Sequence, residues 1–114
     1  MQDKTLTIVM KAPDSEPEIH YIKDDFRAMQ EIVGGHFEVV PKRYGDGVVI
    51  CCNEEGKLLG LKENVVLLNS EGVQVDILVG TIFAIGTDYK NSNFISLTEK
   101  QIDTFIEYFS NGYV

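Results

Sequence analysis

Val48-Val49-Ile50-Cys51-Cys52 is apolar at every position. Successive side chains of a strand point to opposite faces, so a strand built from this run must be covered on both. The run is too short for an ordinary helix and lies between two turn-forming segments, Tyr44-Gly45-Asp46-Gly47 and Asn53-Glu54-Glu55-Gly56-Lys57. It therefore predicts a central strand, with a helix on one side and a second layer or a subunit partner on the other. A chain of 114 residues with 44% apolar residues can build such layers. Domains of roughly this length bury about two-thirds of the surface their unfolded chains expose. No repeat, linker or low-complexity tract divides the sequence, so one domain over 1–114 is expected.

The flanking segments give the fold class. In Thr5-Leu6-Thr7-Ile8-Val9-Met10 the residues Leu6, Ile8 and Met10 share one face and the threonines the other, as in a half-buried strand. The two prolines in 12–17 turn the chain, and 18–22 returns as the second arm of a hairpin. Asp24 is placed to cap a short helix with Phe26, Met29, Ile32 and Val33 on one stripe, and Gly34-Gly35 ends it. Strands then follow from His36, with Gly56 expected in the left-handed position of a bulged turn after Asn53 and a similar turn at Asn69-Ser70-Glu71-Gly72. Gly80-Thr81 breaks the next apolar stretch, where a bulge or bend would aim the backbone differently. The segment 87–93 reads as a polar loop. Thr98 and Gln101 form a capping box for a last helix, with Leu97 and Ile102 at staple spacing and Phe105, Ile106 and Phe109 continuing the stripe. The class is α+β: a mostly antiparallel multi-stranded sheet, a short helix after the first hairpin and a C-terminal helix.

Ten Lys and Arg oppose eighteen Asp and Glu, giving a net charge of −8. A partner held mainly through phosphates needs the opposite balance, so direct nucleic-acid binding is not expected. The carboxylates come singly or in pairs, which suits solubility better than mimicry of DNA. The longest apolar stretch, 77–85, is interrupted by Gly80 and Thr81 and falls short of the roughly 20 residues a membrane helix needs. The first residues lack the charged-then-apolar order of a secretory leader, and a cytoplasmic protein in a bacterial host cell is expected. Cys51 and Cys52, as strand neighbours, point apart and read as reduced thiols. With only His20 and His36 besides, the sequence shows no zinc-ligand spacing; no metal and no cofactor is expected.

Four places carry chemistry worth weighing. His36 and Glu38 share one face of a strand, where a carboxylate can orient an imidazole for acid-base work, although an exposed polar pair needs no such role. Cys51 or Cys52 would be a nucleophile with His20 or His36 beside it, but thiols in such an apolar run are usually buried and inert. Asn53 either satisfies the loop backbone or reads a ligand's donor and acceptor edge; Lys57 either meets an anion or pairs with Glu55. Lys42-Arg43-Tyr44 is the only basic cluster with an adjacent aromatic, a combination suited to a phosphate with a stacked base, to an acidic partner, or to a solvated strand end.

Several segments together carry a family resemblance: Val33-Gly34-Gly35-His36-Phe37-Glu38-Val39-Val40, Cys52-Asn53-Glu54-Glu55-Gly56-Lys57, Asn64, Val75-Asp76-Ile77-Leu78-Val79-Gly80-Thr81 and Ser96-Leu97-Thr98-Glu99. In order and spacing the chain resembles a domain family of unknown function encoded mainly by phages, plasmids and integrated elements of Gram-positive bacteria. Glu63 and Val65 flank Asn64 where that family usually has Pro and Arg, so the basic group is missing here. The resemblance implies an accessory protein that blocks or sequesters host components, and binding rather than catalysis. In one version a homo-oligomer captures a small, nucleotide-derived host signal as a counter-defence, with Lys42, Arg43, Asn53, Lys57 and Asn64 facing the anion and Tyr44 the base. In another, an acidic protein inhibits or modulates a host enzyme by binding it. A third class is enzymatic, with His36 and Glu38 as the acid-base pair.

Overall fold

The computed structural model describes residues 4–40 and 47–114 and shows an α+β fold. Strand β1 (Thr5–Lys11) pairs antiparallel with β2 (Glu18–Lys23). Helix α1 (Phe26–Val33) follows, then β3 (Phe37–Val39) and β4 (Val48–Asn53). The chain continues through β5 (Glu63–Leu68), β6 (Gln74–Val79), β7 (Ile82–Asp88) and β8 (Asn93–Ile95) to helix α2 (Glu99–Ser110). The main sheet runs β2-β1-β7-β4-β3, with β8 also on β7, while β5 and β6 form a separate antiparallel pair.

The unbroken apolar run sits in β4, and all six residues of that strand are buried. Val49 and Cys51 face one core, with Leu6, Ile8, Phe83 and Ile85 beneath Met29 and Val33 of α1. Val48, Ile50 and Cys52 face the other, where Val65, Leu67 and Leu78 of the small sheet and Phe105 and Phe109 of α2 pack. Both coverings come from the same chain, so the apolar run does not need a subunit partner to be buried.

Three details depart from the sequence expectation. The N-cap of α1 is Asp25, whose carboxylate accepts the Ala28 N–H at 2.7 Å; Asp24 lies one residue too early to reach it. Phe26, on the expected apolar stripe, is 66% exposed because the helix opens beyond the edge of the core that Met29 and Val33 reach. Gly56 is not in the left-handed region; that conformation falls to Gly60 (φ 68°), and a Cβ at Gly56 would stand 2.8 Å from Val79 Cγ2, so Val79 would have to shift. At Gly80 (φ 73°) the chain passes from the small sheet into the main one, so the expected bend is a change of layer. The capping box of Thr98 and Gln101 is formed in both directions.

Candidate functional site

The register of β3 on β4 sets Glu38 opposite Cys52, on the face of the main sheet that looks toward β6. The Cys52 thiol points at Glu38 Oε1 across 3.8 Å. Burial pushes that thiol up to about 11, with the neighbouring Glu38 carboxylate as the next cause. Cys51, on the opposite face, is pushed up to about 12, again chiefly by burial. Neither is a thiolate at neutral pH, and the thiolate is the nucleophilic form.

Asn53 closes β4 from inside. Its Nδ2 donates to Val33 O at 3.0 Å, and its Oδ1 accepts the Glu55 N–H at 2.7 Å. The side chain thus ties the end of α1 to the start of the 54–60 turn, and it is buried. Its two ends are engaged by backbone, which favours the loop-satisfying alternative over ligand reading. From the same turn, Lys57 forms an ion pair with Asp76 of β6 rather than with Glu55. The hydrogen bond from Lys57 holds the Asp76 carboxyl below the usual carboxylate range, and the Ile77 N–H, which donates to Asp76 Oδ1 at 2.7 Å, adds to this.

A cleft of about 130 Å³ opens between the turn, the β3–β4 edge of the main sheet and β6. Among the described residues, Glu38, Glu54 and Asp76 bring three carboxylates to it and Lys57 one ammonium. Of the residues named from sequence as ligand-binding, Asn53 and Lys57 meet here. Asn64 stands elsewhere: its Nδ2 donates to Lys11 O at 2.8 Å and Gly80 O at 2.7 Å, and its Oδ1 accepts from Lys11 Nζ at 2.7 Å. It joins the small sheet to β1 and offers no free group to an anion. Lys42, Arg43 and Tyr44 lie outside the described residues.

His36 and Glu38 diverge in their partners. The His36 ring lies 3.5 Å from Gln30 Nε2, and its carbonyl accepts the Glu54 N–H, whereas Glu38 turns to Cys52. His20 pairs with Glu18 on β2, with β1 and β7 between it and the cysteines of β4. Among the described residues, no group of three His, Cys, Asp or Glu side chains is arranged to hold a metal ion. No helix there is long and apolar enough to cross a membrane.

The acidic members Glu38, Glu54 and Asp76 were not singled out together from sequence, because two sheets and a turn bring them to one place. Alternation along β6 does put Asp76 on the face of Leu78, but which strand it opposes is a tertiary fact. No curated protein and no solved structure matches the chain. A family model matches residues 6–110, from β1 to the end of α2, and takes in every element that builds the cleft. The chain belongs to that family, a domain of unknown function designated DUF3846.

Proposed function

We propose that this protein is a non-enzymatic accessory protein of phages or mobile elements that binds a basic host protein and modulates it. The observation that carries this reading is the charge of the cleft: among the described residues, three carboxylates and one ammonium line it, the latter already paired with Asp76. An anion entering there meets net repulsion, whereas an arginine or lysine side chain finds carboxylates already converged. The overall charge of −8 extends the same preference to long range, where it raises the rate of encounter with a basic partner. The turn beside the cleft also presents Leu58, 88% exposed, as an apolar contact next to the charged ones.

Capture of a small nucleotide-derived signal, which requires basic groups, is the second reading, and the Lys42-Arg43-Tyr44 segment is what favours it. Asn53 and Asn64 contribute nothing to it, since both are engaged internally. The acid-base reading of His36 and Glu38 is weaker again, because the two side chains address different neighbours.

The test compares tagged wild type with a Glu38→Lys, Glu54→Lys variant as bait in host lysate. A host protein retained by the wild type at low salt, released as salt rises and not retained by the variant is the expected result. Retention that ignores both salt and charge reversal overturns the reading. So does native mass spectrometry in which the purified protein sheds a nucleotide-sized mass, which would establish the second reading instead.

A further inference from the structure

The small sheet has two strands, and among the described residues its β6 edge is unpaired. Val66 of β5 sends its N–H and C=O toward the C-terminal tail: the N–H donates to Gly112 O, and the C=O accepts from Val114 N, both at 2.9 Å. Val66 lies opposite Ile77 in the β5–β6 register, so this is a pair whose backbone groups point away from each other. Ile77 therefore directs its own N–H and C=O out of the sheet, and alternation from Ile77 to Val79, beyond the irregularity that the register shows at Val75, turns Val79 the same way. The bond from Ile77 N–H to Asp76 Oδ1 agrees with this, since that donor is turned away from β5. Among the described residues, no strand pairs with that edge.

We infer that the β6 edge receives an extended basic segment of a protein partner, which adds as a third strand and places an arginine or lysine among Glu38, Glu54 and Asp76. The inference rests on the proposed host-protein binding and names how it occurs. Unpaired edge groups supply main-chain hydrogen bonds to an incoming strand, and side-chain pockets beside the edge supply selectivity. The cleft lines this edge, with Ile77, Leu78 and Val79 forming one wall. Asp76 is the guard: its carboxylate caps the Ile77 N–H and holds Lys57 in the free protein. An arriving strand replaces the cap with a backbone carbonyl and releases the carboxylate to the partner's cation. A second copy of this chain is the poorer occupant, because β6 against β6 would bring Glu38, Glu54 and Asp76 of two chains, each of net charge −8, to the same seam.

The probe is a ten-residue peptide alternating arginine and valine, blocked at both ends, with its glutamate-for-arginine counterpart as control. Saturating the intact protein with the basic peptide is expected to slow hydrogen exchange at the Ile77 and Val79 amides at least tenfold, with the acidic peptide leaving them unchanged. Two N-methylated versions, one methylated at the arginine amides and one at the valine amides, are expected to differ at least tenfold in affinity, since only one alternate set of amides can face β6. Equal affinities of the two, or no added protection at Ile77 and Val79, overturn strand addition. Salt-sensitive retention of a host protein alongside either failure would leave the proposed function standing and remove only this mode of binding; loss of both removes the two together.

Discussion

Lys11 and Asn64 hold each other reciprocally: the Lys11 ammonium donates to Asn64 Oδ1 at 2.7 Å, and Asn64 Nδ2 donates back to the Lys11 carbonyl at 2.8 Å. Lys11 is only 8% exposed, so its charge is neutralised by dipoles rather than water, with Ala12 O as a further acceptor at 3.3 Å. The same Nδ2 also reaches Gly80 O, at the point where the chain changes layers. One side chain thus joins the end of β1, the start of β5 and the crossing from β6 to β7.

Asn64→Ala leaves a buried ammonium short of an acceptor and two carbonyls short of a donor. Unmade bonds of this kind cost about 1–3 kcal/mol each when the group stays buried, and relaxation recovers part of that. A loss of about 2–4 kcal/mol in urea unfolding is expected. A change within about 0.5 kcal/mol, the range of ordinary surface substitutions, would show that the bridge carries no stability.

Gly86 gives a prediction of a different kind. It lies inside β7 opposite Ile95, and a Cβ there would stand 2.9 Å from both Ile95 O and Ser96 O. Those are backbone atoms, which cannot swing aside as a side-chain methyl can. Gly86→Ala should push β8 from β7 and cost about 1–3 kcal/mol, with amide exchange quickened at Ile95. Gly34→Ala meets open space and suffers only its left-handed φ of 79°, at about 1 kcal/mol. Equal losses for the two would contradict the packing described for β8.

These two residues also mark what can be read from the chain. The apolar run of β4, the alternation of β1, the Gly34 stop and the Thr98 capping box are local signals, governed by periodicity and by the backbone groups a helix end leaves open. They place the elements and the class correctly. The role of Gly86 depends on how closely β8 approaches, which no local pattern shows. Asn53 and Asn64 read as polar groups with capacity to bind, and both are engaged by backbone that is distant in sequence from at least one of their partners. The cleft was half legible: the turn with Asn53 and Lys57 was marked, but Glu38 and Asp76 join it only through packing of two sheets.

The two thiols set an alkaline limit. Folding holds Cys51 up to about 12 and Cys52 up to about 11, above the ordinary value of 9.0. Below pH 9 both are neutral in either state and the full stability is present. As pH rises the unfolded chain ionises first, so the thiols' contribution to stability, a few kcal/mol in all, falls from about pH 9 and is gone once pH passes 11–12. Urea midpoints measured between pH 8 and 11 should decline, and Cys51→Ala should flatten the decline while lowering stability at pH 8. A midpoint independent of pH over that interval would place the thiols in contact with water. In the native state, a disulfide reagent should react with Cys51, fully buried beneath α1, only at the rate of transient opening.

Lys57 separates the two binding readings most directly. It is more than half exposed, and its ion pair with Asp76 is of the surface type, worth about 0–1 kcal/mol. Lys57→Ala is therefore expected to leave the unfolding midpoint nearly unchanged. The same substitution removes the one cation that lines the cleft among the described residues, where Glu38, Glu54 and Asp76 remain. Binding of the arginine-valine peptide should tighten several-fold at low salt, with the gain shrinking as salt screens the carboxylates. A site built for a small anion requires the reverse, since losing Lys57 would take away its one cationic contact among the described residues of the cleft. Weaker binding of the basic peptide by the variant would show that Lys57 serves as more than a counter-charge to Asp76, and the acidic-cleft reading would fall with it.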